Sequence, residues 1–284
     1  MHFGRIQNLE TLSPRLPPNP LRTQKFLALK REFQTQTYFG CPIWASKSWA
    51  NIFYPPKMKS QEYLKFYSEQ FNTVEVNSTF YHLLDPQRIS AWKECVNSHF
   101  RFCPKVYRGI TENLANPEMP LFVKKFCDSI SQFKENLGVV FAQFSESFTP
   151  QQFPLLLLFL KTWPKEFPLA IELRHPSWFQ NNALIDEVID CFYRAKVSAV
   201  ITDTPGKRDV LHLSLTQPKV FIRFQGHDFQ QKDQERLVEW SQKLREWEQN
   251  ALQEIYFFVH YPEESLIPPA ASFFSALYEK CSKI

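Results

Sequence analysis

From Tyr38 onward, short runs rich in β-branched and aromatic residues alternate with segments whose apolar residues recur at helical spacing. The runs Tyr38–Cys41, Asn72–Asn77, Phe100–Val106, Gly138–Phe144, Leu169–Arg174, Ala199–Thr204, Val220–Gln225 and Ile255–Tyr261 read as eight strands. Gln61–Phe71, Gln87–Val96, Leu121–Phe133, Ala183–Ala195 and Glu235–Gln249 read as amphipathic helices between them. Pro86, Pro120 and Pro150 stand at or near helix starts, where a missing backbone N–H costs nothing. This alternation over about 250 residues predicts an α/β fold of the (β/α)8 TIM-barrel class. A doubly wound sheet is disfavoured, because no G-x-G-x-x-G follows a strand and the chain holds only six glycines. One link, Gly206 to Pro218, is short and shows no convincing helix. Residues 1–36 carry Pro14, Pro17, Pro18 and Pro20 among polar residues, followed by a short basic helix over Phe26–Phe33. We read them as an extension, partly mobile or wrapped on the surface, and residues 37–284 as one barrel domain.

Side chains along a barrel strand alternate between the interior and the helix layer, so apolar parity assigns the direction of the charged residues. Ile171 and Leu173 facing the helices send Glu172 and Arg174 inward, and Val74 and Val76 likewise leave Glu75 and Asn77 inside. The same reasoning turns Lys105, Gln143, Arg223, Gln225 and His260 inward. With Val200 and Thr202 taken as outward, Asp203 joins them. These groups gather near the C-terminal strand ends, the face where barrel enzymes build their sites. Burying unpaired polar groups costs roughly 2–7 kcal/mol apiece, so a purely structural core would use Val, Ile and Leu here. A self-satisfied ion network capping the barrel is the competing explanation. His82, His99 and His212 read as surface or packing residues, and Leu155–Phe159 as a buried helix face.

The chain has 284 residues, 44% hydrophobic and 22% charged, which excludes disordered and fibrous classes. A net charge of +4 is too small to argue for nucleic acid by itself. No apolar run reaches spanning length, so no membrane partner is expected. The six cysteines form no C-x-x-C pair, and the N-terminus lacks a secretory apolar segment. Reduced thiols and a cytoplasmic location are the expectation.

Phe53-Tyr54-Pro55, the run Thr73-Val74-Glu75-Val76-Asn77-Ser78-Thr79-Phe80-Tyr81 and the run Ile171-Glu172-Leu173-Arg174-His175-Pro176-Ser177-Trp178-Phe179 resemble the YecE-like family, domain of unknown function 72. The likeness continues through Lys105, Gln143, Thr202-Asp203-Thr204 and Arg223 with Gly226, covering about Tyr38 to Ile284. The resemblance implies a TIM barrel similar to those of the endonuclease IV and xylose isomerase group, and no settled activity. The chain departs from the family pattern at Arg223-Phe224-Gln225-Gly226, where Arg-x-His-Gly is usual and His227 follows one place later. It departs again at His260-Tyr261, where asparagines are common, and at Glu112, where a His is usual.

Three functions fit these residues. In the first, the rim binds an anionic ligand, a phosphate ester or nucleic acid, and hydrolyses it. Lys105, Arg174 and Arg223 supply positive charge, Glu172 or Glu75 acts as general base, and Trp178, Tyr81 and Phe80 stack on a base or sugar. Lys57, Lys59, Lys207 and Arg208 are candidates for a basic approach. A metal-assisted form would recruit Glu75, Glu172, Asp203, His227 and His260, although no His pair has close ligand spacing and neighbouring cations oppose a metal. In the second, a metal-free isomerase or lyase acts on a sugar or keto acid through Lys105, whose acidic neighbours are expected to hold its pKa up. In the third, the barrel binds without turnover. The candidate catalytic residues are thus Glu75, Lys105, Glu172 and Asp203. The candidate ligand-binding residues are Asn77, Tyr81, Gln143, Arg174, Trp178, Arg223, His227 and His260. Cofactor and oligomeric state are left open.

Overall fold

The computed structural model describes residues 9, 12–29 and 34–281. Eight parallel strands run in sequence as β1 (Gln36–Cys41), β2 (Thr73–Val76), β3 (Arg101–Pro104), β4 (Val140–Gln143), β5 (Leu169–Glu172), β6 (Ser198–Asp203), β7 (Lys219–Gln225) and β8 (Glu254–His260). They pair in the order β3-β2-β1-β8-β7-β6-β5-β4. The two ends of that row meet through the parallel bridges Phe102–Leu137 and Lys105–Phe141, with Val106 N–H donating to Phe141 O at 2.9 Å. The (β/α)8 reading therefore holds. Gly40 is required where β1 passes β2, since a Cβ there would lie 2.0 Å from Thr73 O.

The interior is filled by Tyr38, Cys103, Val139, Phe141, Ala170, Val200, Phe221, Tyr256 and Phe258, which pack as a separate cluster from the helix-side core. Stacked Tyr38 and Tyr256, 4.5 Å between ring centres, and the Phe221–Phe258 pair at 4.8 Å give this plug a largely aromatic body. It forms a solid floor beneath the polar groups at the C-terminal strand ends.

Besides the single turn Arg108–Thr111, the α-helices are α1 (Leu21–Leu27), α2 (Tyr63–Gln70), α3 (Pro86–Glu94), α4 (Met119–Ile130), α5 (Phe153–Thr162), α6 (Asp186–Ala195), α7 (Gln231–Glu248) and α8 (Ile267–Cys281). Asp85 caps α3 by accepting from Gln87 N–H at 2.7 Å, with Pro86 at the first position. In α5, Leu156 and Phe159 are buried, whereas Leu157 and Leu158 face outward, so the apolar run is only in part a buried face.

Between β6 and β7 the chain makes only a short turn at Arg208–Val210, and α1 takes the place of the absent crossover helix. Arg22 pairs with Asp186 and Asp190 of α6, at 2.7 and 2.5 Å. On the other side, Asn19 accepts from Trp247 Nε1 of α7 and donates to Glu246. The buried Thr23 hydroxyl donates to Leu213 O at 2.7 Å and accepts from Leu215 N–H at 3.1 Å. Phe26 and Leu27 are buried beside it. The helix thus starts earlier than the Phe26–Phe33 expected, and residues 30–33 lie outside the described residues. The described part of the extension is a fitted piece of the helix layer, bonded to α6, to α7 and to the β6–β7 link. No helix among the described residues is long and apolar enough to cross a membrane.

Candidate functional site

Six strands deliver polar side chains to one end of the barrel, and Arg223 of β7 stands at the centre. Its Nε and Nη2 donate to Glu75 Oε1 and Oε2 at 2.8 and 3.1 Å, a bidentate pair, while Nη1 donates to Glu172 Oε2 at 2.9 Å. All three residues are fully buried. Arg174 Nε donates to Glu172 Oε1 at 2.6 Å. Gln143 bridges onward: its Nε2 donates to Glu172 Oε2 at 2.8 Å, and its Oε1 accepts from Lys105 Nζ at 2.7 Å. Lys105 Nζ lies 4.2 Å above the Phe80 ring. On the other flank, His260 Nε2 lies 3.1 Å from Glu75 Oε1, and Asn77 Nδ2 donates to Glu75 Oε2 and to Pro42 O, both at 3.1 Å. Because Glu75 is an acceptor, the His260 proton belongs on Nε2.

The network fixes the charge state of its members. Burial pushes the Glu75 carboxyl up, but Arg223 and His260 more than offset it and hold Glu75 well below the usual carboxylate range. Burial acts on Glu172 in the same direction and is overcome by Arg174, Arg223 and the Gln143 amide. Every oxygen of the two carboxylates already accepts at least one hydrogen bond. Both are held as anions of low basicity, which counts against the general-base role expected from the sequence. Burial lowers the His260 pKa, with Glu75 opposing. Lys105 also departs from expectation. Burial, then the neighbouring Arg223, lowers its pKa to about 8, and the acidic Glu172 and Glu75 do not compensate.

Three candidates fall elsewhere. Val200 belongs to the interior plug and Ile201 to the helix-side core, so Asp203 faces outward, opposite to the expected parity. The strand Ala199-Val200-Ile201-Thr202 is apolar-compatible on both faces, which leaves parity undetermined by sequence. The outward carboxylate is satisfied by α7: Arg236 Nη2 and Trp240 Nε1 each donate to it at 2.8 Å, and Arg208 closes the pair from the β6–β7 link. Trp178 is fully buried, stacks on Phe148 and donates Nε1 to Phe148 O at 2.6 Å, so it offers no stacking face. His227 enters the structure through its backbone N–H, which with those of Asp228 and Phe229 donates to Asp233 Oδ2. Tyr81 stays on the rim, 64% exposed, with its ring edge-on to Phe80.

The reversed parity exposes a residue that the sequence reading missed. Thr202 is registered with Arg223 and points into the barrel mouth, and its buried hydroxyl has no hydrogen-bond partner among the described residues. The buried Asn77 Oδ1 is likewise unpartnered. Such atoms cost about 1–3 kcal/mol each unless a ligand or water satisfies them. Thr202 and Thr204 flank Asp203, so the parity that turns Asp203 outward is the one that turns Thr202 toward the charged crown. His212 is a packing residue: its buried ring lies on Val200 O and Phe179, and burial lowers its pKa to about 4.

Among the described residues no three His, Cys, Asp or Glu side chains come together as a metal site. Asp203 is turned away from Glu75 and Glu172, so the full donor set expected for a metal does not assemble.

Comparison with known proteins agrees with this architecture. A family model described as "Protein of unknown function DUF72" matches residues 38–283. The UPF0759 protein YecE of Escherichia coli K12 is 28% identical over 249 residues, 81% of this chain and 88% of that protein. The UPF0759 protein YunF of Bacillus subtilis 168 is 29% identical over 150 residues, covering 50% of this chain and 52% of its own length. Among solved structures, a DUF72 family protein from Enterococcus faecalis V583 superposes with a TM-score of 0.71 at 19% identity, covering 86% of this chain and 96% of that one. A DUF72 family protein from Thermotoga maritima MSB8 gives 0.68 at 22%, covering 86% and 99%. With the barrel fold and a family model spanning residues 38–283 in agreement, the chain belongs to the DUF72 family.

Proposed function

We propose that the mouth of the barrel binds a small anionic molecule, held by Lys105 and Arg174. The observation that carries this reading is the charge balance of the crown. Three cations, Lys105, Arg174 and Arg223, face two carboxylates, Glu75 and Glu172. Arg223 is enclosed by both carboxylates, Arg174 shares one of them, and Lys105 makes no ion pair among the described residues. A net positive charge carried by groups this buried favours an anion. The unpartnered Thr202 hydroxyl supplies a further donor.

The ligand class narrows to small anions. Arg208 is spent on Asp203 and on Arg15 O, and Lys207 lies 3.7 Å from Glu146, which removes two expected contacts for an extended polyanion. Phosphoester hydrolysis is not part of this reading, since the arginines hold Glu75 and Glu172 well below the usual carboxylate range and make both weak proton acceptors. The test is titration calorimetry with sulfate, which stays fully charged across the working pH range. Charge-assisted hydrogen bonds contribute about 1.5–3 kcal/mol each, so Lys105→Met and Arg174→Met should each weaken sulfate by about tenfold or more. Unaltered affinity in both variants would refute the reading.

A further inference from the structure

We propose that Lys105 is a nucleophilic amine that condenses with the carbonyl group of a small anionic oxo compound. This rests on the anion-binding reading above and names the reactive class of ligand that such a site accepts.

The argument begins with what each group of the crown has left to offer. Glu75 accepts from Arg223, His260 and Asn77, and Glu172 accepts from Arg174, Gln143 and Arg223. Gln143 is committed on both ends of its amide. Arg223 is enclosed by carboxylates. Lys105 Nζ, by contrast, makes one hydrogen bond, to a neutral amide oxygen, and no ion pair among the described residues. It is 96% buried by the complement of its 4% exposure, at the edge of the mouth rather than in the outer solvent. On one side the Phe80 ring gives it an apolar wall. Burial, then Arg223, lowers the Lys105 pKa to about 8 against the opposing pull of Glu172 and Glu75. At neutral pH about one amine in ten is then free to attack, far more than at a surface lysine near 10.4.

The chemistry balances without a co-reactant. The neutral amine attacks the carbonyl carbon, a C–N bond forms, and the π pair moves to oxygen. A proton passes from nitrogen to that oxygen to give a carbinolamine, which loses water to leave the C=N bond of an imine. The anionic group of the same molecule would lie against Arg174, with the Thr202 hydroxyl as an added donor. A carboxylate or a phosphate meets this description equally.

The test uses the full chain with two carboxylate probes, pyruvate and glyoxylate, and two phosphate probes, dihydroxyacetone phosphate and glyceraldehyde 3-phosphate. Each is followed by sodium borohydride and peptide mass spectrometry. The expected result is a single reduced adduct on Lys105 from one probe pair, suppressed by excess sulfate and absent from Lys105→Arg. The pair that reacts identifies the anionic group. In parallel, limiting acetic anhydride applied to the native chain across pH should label Lys105 with a midpoint near about pH 8, an outcome independent of whether the variant folds. Absence of a Lys105 adduct with all four probes, or a Lys105 labelling midpoint equal to that of the surface lysines, overturns the inference. If sulfate still binds in that case, the anion site stands and only the condensation falls. If the adduct forms but neither sulfate nor Arg174→Met changes it, the anion reading falls and the nucleophilic lysine remains.

Discussion

Replacing Arg223 by methionine removes the guanidinium from between two buried carboxylates while roughly preserving side-chain volume. Three charge-assisted hydrogen bonds vanish, at 2.8, 2.9 and 3.1 Å. Glu172 retains Arg174 and Gln143, so the deficit falls mainly on Glu75, left with Asn77 and His260. Breaking a buried pair by deleting one partner costs about 3–5 kcal/mol, and that is the loss expected near about pH 8. The pH dependence follows from the direction of the Glu75 shift. In the native protein its pKa is held below the unfolded value, so its contribution is present above that value and is lost as pH falls through the folded one. In Arg223→Met, burial without the guanidinium raises the folded pKa above the unfolded value of about 4.3. Stability is then regained as pH falls toward that raised pKa. The difference between the two proteins should shrink on moving from about pH 8 to about pH 5. Urea unfolding followed by fluorescence of the seven tryptophans measures it directly. A difference below about 1 kcal/mol, or one that is flat across this range, would refute the reasoning.

Thr23→Val leaves Leu213 O and Leu215 N–H without their partner, and at about 1–3 kcal/mol per buried orphan the barrel should lose about 2–6 kcal/mol in urea unfolding. A loss under about 0.5 kcal/mol would show that α1 is a dispensable attachment. Asp203→Asn weakens the buried contact with Arg236 and should cost about 3 kcal/mol while leaving sulfate affinity within about twofold, because the carboxylate faces α7. Sulfate affinity itself should fall as pH rises through about 8, where Lys105 gives up its proton, and an affinity constant up to about pH 9.5 would contradict that assignment.

The alternation of strands and helices made the barrel legible, and strict parity placed Glu75, Lys105, Gln143, Glu172, Arg174, Arg223 and His260 on one rim. These strands carry a one-sided apolar face, so direction follows from pattern. Strand β6 is the exception, apolar on both faces, and there the charged end residue was sent inward although α7 supplies Arg236 and Trp240 to hold it outside. Residue pattern along one strand carries no information about a partner 33 positions away. The same holds for α1, whose seat is defined by α6 and α7 and by a gap in the helix layer, neither of which is local in sequence. The Lys105 pKa was misjudged for a related reason. Counting acidic neighbours ignores that Glu75 and Glu172 are already neutralised by Arg223 and Arg174, which leaves burial to dominate.

The central claim, an anion seat inside the barrel mouth, is tested most directly by a crystal of the protein grown or soaked with selenate and measured for anomalous scattering. The account predicts a peak within hydrogen-bond reach of Lys105 Nζ and the Arg174 guanidinium. Selenate found only on outer-surface lysines and arginines, with the mouth holding water alone, would contradict it.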